Sequence, residues 1–297
     1  MQRAIGLLVL TMMLAVALPM PANDAAAGGY GHSSAPEKIG ILLVAFGSSE
    51  ASAQVSFENI DKKVKTAYPG IPVRWAYTSH IIRAKLLKKG LHLDSPAVAL
   101  AKMQDEKFTH VAVQSLHTIG GEEFHDLRRT VEAFKTMGGI RRIVLGYPLI
   151  AEQTDMERAV NAIMKVIPKS RRADEAVVLM GHGTHHPANA FYAALMFQIQ
   201  LKDPNIFVGT VEGYPGIGLI TDLLLQKKID KAYLMPFMSV AGDHAKNDMA
   251  GEGDDSWKSV LSRAGIDCEV ILKGTAEYDD FVDIWVGHLT GSLNHFQ

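Results

Sequence analysis

The chain reads as an α/β protein built from two similar Rossmann-like lobes in tandem, each a parallel sheet flanked by helices. Three observations predict this. Short β-branched runs ending in glycine turns alternate with helical stretches, the pattern of a helix-covered parallel sheet. The second half of the sequence repeats the plan of the first, the mark of an internal duplication. Hydrophobic residues make up 47% of the 297 positions and the formal charge is only −2, enough apolar material for one large or two smaller domains.

The elements follow in order. Arg3, the apolar stretch Ala4 to Leu18, then Pro19, Pro21 and Ala25-Ala26-Ala27-Gly28 form the pattern of a secretory signal peptide. Residues 1–28 are therefore expected to be cleaved and the mature protein to be periplasmic, with no later segment of membrane-spanning length. Residues 29–37 read as a flexible N-terminus. The apolar run from Ile39 to Phe46 is a buried strand closing in Gly47-Ser48-Ser49, and a helix runs through Val55, Ile60 and Val64 toward Pro69. Strands follow at Val73 to Tyr77, His110 to Leu116 and Arg142 to Leu145. In the second half, Ala176 to Met180 is a strand opening into Gly181-His182-Gly183-Thr184-His185-His186-Pro187, with Pro187 suited to the first turn of a helix. Ala45-Phe46-Gly47-Ser48-Ser49 aligns with Gly181-His182-Gly183-Thr184-His185, Trp75 to Ser79 with Gly209 to Gly213, and Val111 to Leu116 with Ala232 to Met238. This predicts an N-terminal lobe over 38–165 and a C-terminal lobe over 166–297. The linker falls between Ala151 and Asp174, where a helix through Met156 to Ile167 leads into Pro168-Lys169-Ser170-Arg171-Arg172.

Several function classes are excluded. No basic stripe interleaves with aromatics, so no nucleic-acid partner is expected. Cys268 is the single cysteine, which rules out an internal disulfide and thiolate metal cages; any metal is left to histidine and carboxylate, a choice that suits divalent first-row ions. Gly181-x-Gly183-x-x-His186 has a histidine where a dinucleotide fingerprint needs its third glycine. Neither Gly-x-Ser-x-Gly nor a phosphate-binding Gly-x-x-x-x-Gly-Lys-Ser/Thr occurs. The acidic tract Asp243 to Asp255 reads as a solvated loop leading into a helix at Trp257.

The duplication also locates the chemistry. At equivalent strand ends the first half has Phe46, Thr78 and roughly Glu122, and the second has His182, Glu212 and His244. The carboxyl ends of parallel strands lie side by side along one edge, where ligands of open α/β sheets bind. Two imidazoles and a carboxylate leave coordination positions open, as a metal needs if it is to be handed on.

These residues carry a family resemblance. Ala45-Phe46-Gly47-Ser48, Val113-Gln114-Ser115-Leu116-His117, Met180 to His186, Val211-Glu212-Gly213-Tyr214-Pro215 and Pro236-Phe237-Met238 through Gly242-Asp243-His244 are similar to motifs of the anaerobic cobalt chelatases of cobalamin biosynthesis, the sirohydrochlorin cobaltochelatase type of class II chelatase. The resemblance spans the mature chain. It implies two α/β lobes enclosing a tetrapyrrole cleft, Co²⁺ or Fe²⁺ as substrate metal, and His182, Glu212 and His244 as the residues that hold it. Metal insertion strips two N–H protons from the macrocycle, and His182 is the expected base because imidazoles titrate near physiological pH.

An export signal is unexpected in such an enzyme, since sirohydrochlorin is made in the cytoplasm. It raises a second reading, a periplasmic haem, tetrapyrrole or metal carrier. His125 is the candidate haem ligand, with Arg128 and Arg129 one turn away and Arg83 as further positive charge for propionates. Haem at the surface would favour a homo-oligomer.

Overall fold

Two four-stranded parallel sheets organise residues 36–297, which the computed structural model describes. The secretory signal assigned to residues 1–28, and nearly all of the tail assigned to 29–37, lie outside the described residues. The first sheet contains β1 (Ile39–Ala45), β2 (Val73–Tyr77), β3 (His110–Ser115) and β4 (Arg142–Gly146) in the order β2-β1-β3-β4. The second contains β5 (Ala176–Gly183), β6 (Ile206–Glu212), β7 (Lys231–Pro236) and β8 (Asp267–Val270) in the equivalent order β6-β5-β7-β8. Identical strand order in the two sheets is the structural form of the repeat seen in the sequence. Helices cover both faces of each sheet, so β1, β3 and β5 are buried almost throughout, and β1 reads as a near-continuous apolar run.

The helices are α1 (Gln54–Ala67), α2 (His80–Leu87), α3 (Pro96–Asp105), α4 (Glu122–Met137), α5 (Gln153–Val166), α6 (Ala190–Gln200), α7 (Ile217–Gln226), α8 (Trp257–Arg263) and α9 (Asp279–Asn294). Serine caps start three of them: Ser79 Oγ accepts from Ile82 N, Ser95 Oγ from Val98 N and Ser256 Oγ from Ser259 N.

Helices cross the boundary between the two halves. The expected division between residues 165 and 166 separates the sheets, but α5, which follows β4, packs on α6 of the second half. The C-terminal α9 returns to lie across β3 and β4 of the first sheet and against α1 and α5. Its buried face carries Phe281, Ile284, Trp285 and Leu289, which share one core with Ile41 and Leu43 of β1 and with Tyr192 and Leu195 of α6. Trp285 Nε1 donates to the carbonyl of His117 at 3.3 Å, and His288 joins Tyr147 O (3.2 Å) to Asp155 (2.9 Å). The core of the molecule is thus continuous from one lobe to the other.

Candidate metal centre

β5 continues three residues past the apolar run that announces it. Gly183 still pairs with Glu212, so His182 sits on the strand itself, with its neighbour locked to the end of β6. Glycine is required on both sides of this histidine. A Cβ on Gly181 would lie 2.3 Å from the Tyr192 ring, and one on Gly183, at φ +82°, would lie 1.6 Å from the Glu212 carbonyl oxygen. These close approaches set the distance between β5, β6 and α6 and so place His182 beside Glu212.

His244 arrives from β7 through the loop 237–243 and opens a short π-helical turn, Ala245–Met249. His182, Glu212 and His244 each offer one ligand atom, and the three atoms lie within 4.8 Å of one another. The two imidazoles meet edge to face with ring centroids 4.7 Å apart. Their outer nitrogens are engaged: His182 Nδ1 faces Gly183 O at 3.0 Å, and His244 Nδ1 faces the Asp248 carboxylate. Both partners are acceptors, so the Nδ1 atoms carry the hydrogens and the Nε2 lone pairs are left free for a metal, the carboxylate–histidine arrangement of many metal sites. Glu212 is exposed and both histidines are partly so, which leaves the set open on one side.

Asp248 was not singled out by the sequence reading, which assigned its tract to a solvated loop. The signal available was its position four residues beyond His244, one helical turn away.

The first lobe closes over this set. Phe46, the counterpart of His182, stands with its ring centroid 5.7 Å from that of His182. Cross-lobe contacts flank it: Lys246 pairs with Glu50 at 2.6 Å, Gly242 approaches Ser48, and Gly121 approaches Thr184. The Lys246 ammonium lowers the Glu50 carboxyl from its usual range, a change helped further by Lys85 and Lys89.

His117, at the end of β3, is the other residue that belongs here. Its Nδ1 lies 2.8 Å from the buried Ser115 Oγ and its Nε2 3.5 Å from Thr78 Oγ1. Burial, and then the charge of His182, push its pKa down to about 4, so its imidazole is neutral at physiological pH. The sequence offered His117 only as part of a motif.

The remaining histidines of the run separate. His185 is exposed. His186 accepts from Ala188 N at 3.1 Å and meets His125 of α4 across the lobes, ring centroids 4.6 Å apart. His125 Nδ1 is buried without a partner, and burial together with Arg128, His186 and Arg129 lowers the pKa of the ring. Arg128 is exposed on the same helix. Arg83 sits on α2, the helix that follows β2.

These features define a class: a duplicated α/β protein with an open histidine–carboxylate set where its lobes meet. Among solved structures the fold is similar to SirB from Bacillus subtilis with Fe³⁺, with a TM-score of 0.57 at 13% identity, covering 86% of this chain and 95% of that one. It is also similar to CbiX, described as the terminal enzyme for biosynthesis of siroheme in denitrifying bacteria, with a TM-score of 0.50 at 14% identity, covering 87% and 99%. The chain belongs to the cobalt chelatase (CbiK) family, whose model matches residues 39–294. The sirohydrochlorin cobaltochelatase CbiKC of Nitratidesulfovibrio vulgaris is 46% identical over 257 residues, 86% of this chain and 91% of that protein. The sirohydrochlorin cobaltochelatase of Salmonella typhimurium is 35% identical over 259 residues, 86% and 97%.

Proposed function

We propose that this protein inserts a divalent metal, Co²⁺ with Fe²⁺ as its competitor, into sirohydrochlorin held between the lobes. The observation that carries this reading is the convergence of His182, Glu212 and His244 within 4.8 Å at the edge facing the other lobe. Such a set binds an ion firmly enough to strip part of its water shell and keeps positions open for transfer to four ring nitrogens. As the ion moves to the ring, it leaves His182 Nε2, and that nitrogen is then free to accept a pyrrole N–H proton. The two protons lost balance the two charges gained, and the exposed Glu212 carboxylate opens a way for them to solvent. Ligand type does not choose between Co²⁺ and Fe²⁺, because histidine and carboxylate accept both. The test is spectrophotometric insertion of Co²⁺ and Fe²⁺ into sirohydrochlorin. His182→Ala and His244→Ala each abolish insertion while the protein stays folded; near wild-type rates in either would refute the assignment.

A second reading concerns export. We propose that the secretory signal at residues 1–28 delivers the protein to the periplasm and that His125 ligates haem there, with Arg128 near the propionates and subunits paired around the group. The favouring observation is the buried, unpartnered Nδ1 of His125 beside exposed Arg128. Haem supplies an iron centre for electron transfer or storage; the protein contributes an axial imidazole and cations. Purified protein titrated with haem develops a Soret band that His125→Ala alters, and gel filtration with haem reports the oligomer. Absence of the band, or an unchanged band in the variant, refutes this reading.

A further inference from the structure

α2 and the turn after it combine exposed apolar side chains with cations unpaired among the described residues. From His80 to Leu93 the sequence is His-Ile-Ile-Arg-Ala-Lys-Leu-Leu-Lys-Lys-Gly-Leu-His-Leu, four cations with no carboxylate. Only Leu86 of the helix is buried. Ile81, Leu87 and Leu91 are 65%, 50% and 56% exposed, which is apolar surface that folding leaves in water. Among the described residues Arg83, Lys85, Lys88 and Lys89 make no ion pair, whereas Lys102 nearby is held by Asp94 and Arg74 by Glu106. Arg83 Nε is in addition buried without a hydrogen-bond partner.

Its place in the fold is equally specific. α2 leaves the carboxyl end of β2, on the edge where the ligand set of the other lobe lies opposite. Ile82 anchors it, since a Cβ at Gly47 would meet the Ile82 side chain at 3.3 Å, so the helix rides on the loop that follows β1. Lys85 and Lys89 act on Glu50 of that loop, and Glu50 pairs with Lys246, two residues from His244. Cations and apolar side chains therefore stand together on the helix beside the loop whose Glu50 reaches across to the other lobe. A flat apolar ring fringed with carboxylates matches such a surface: rings lie on aliphatic groups, and each acid side chain meets a lysine or arginine.

Resting on the chelatase reading above, we infer that α2, through Lys85 and Lys89 one helical turn apart, is the subsite for the carboxylates of the tetrapyrrole, and that it selects polycarboxylate macrocycles over porphyrins with fewer acid groups. The first lobe then reads the ring while the second holds the ion.

The experiment is steady-state Co²⁺ insertion into sirohydrochlorin by the wild-type full chain, Lys85→Ala/Lys89→Ala and Lys85→Arg/Lys89→Arg, at low and high salt. The double alanine variant raises KM about tenfold with kcat held, its KM is less salt-dependent than that of the wild type, and the double arginine variant restores both. With a porphyrin bearing fewer carboxylates, the wild type and the double alanine variant have closer KM values. Wild-type KM in the double alanine variant overturns the inference. So does co-sedimentation of the wild type with anionic phospholipid vesicles that the double alanine variant loses while its KM is unchanged, since the helix would then serve a membrane surface. A wild-type protein that inserts no metal overturns the chelatase reading instead.

Discussion

Gly183→Ala tests how the ligand set is built. The residue pairs with Glu212 in the sheet and has φ +82°, and the added Cβ would stand 1.6 Å from the Glu212 carbonyl oxygen. Ordinary contact begins at 3.4 Å, so β5 and the end of β6 must part by about 1.8 Å. Backbone on both sides leaves no flexible side chain to give way. The left-handed conformation costs roughly 1–2 kcal/mol for alanine and the overpacking about 1–3 kcal/mol more, a loss of roughly 2–5 kcal/mol in stability. The functional effect is larger, because the displaced strand end carries Glu212; a misplacement of about 1 Å costs on the order of 100-fold in rate. The variant is assayed by urea denaturation, by calorimetric titration with Co²⁺ and by metal insertion into sirohydrochlorin. The expected result is a folded, destabilised protein with weakened Co²⁺ binding and insertion reduced about 100-fold or more. Wild-type Co²⁺ affinity and turnover in Gly183→Ala would show that the β5–β6 spacing does not set the site.

Acid sensitivity follows from His117. Its folded pKa of about 4 lies below the ordinary 6.5, so the unfolded chain takes up a proton that the folded protein refuses. Its contribution is constant above pH 6.5 and is lost as the pH falls from there toward 4, about 2 kcal/mol by pH 5. Urea unfolding at pH 7 and pH 5 shows this loss in the wild type and a loss about 2 kcal/mol smaller in His117→Gln; equal losses would refute it. His288→Ala leaves Asp155, whose side chain is 3% exposed, without its ring partner. The cost is about 3 kcal/mol in chemical denaturation, at the low end for a broken buried pair because two backbone amides still donate to Asp155; a change under about 1 kcal/mol would contradict the pairing. Gly291→Ala, within α9 and with nothing near its added Cβ, raises stability by roughly 0.5–1 kcal/mol in the same assay, and a decrease would count against the described packing of α9.

Much of this was legible in the sequence because both kinds of signal were periodic. Apolar strand runs repeated across the halves, and that repeat set His182 against Phe46 and exposed the unlike residues as the candidate ligands. Side chains that act on other side chains were less legible. Asp248 lies in a tract whose acidity suggests solvent, and its contact with His244 depends on a π-helical turn that no pattern announced. His117 looked like a strand-end residue until burial and the nearby His182 gave it a neutral ring. The crossing of α5 and α9 between the halves was illegible for a simpler reason: an amphipathic helix records that it has a partner, without recording which one.

The seat of α9 on the first sheet bears on how such a chain can arise. A half-length precursor with the order of one lobe would end in a helix whose proper seat is on another sheet. It would be complete only as a pair of molecules trading their last helices, with stability tied to concentration. Joining the two copies in one chain replaces that encounter with an intramolecular one, at an effective concentration set by the short segment between Val166 and Ala176. Once fused, the copies no longer need to stay alike: one can keep the histidine while the other turns its counterpart into the phenylalanine that faces it.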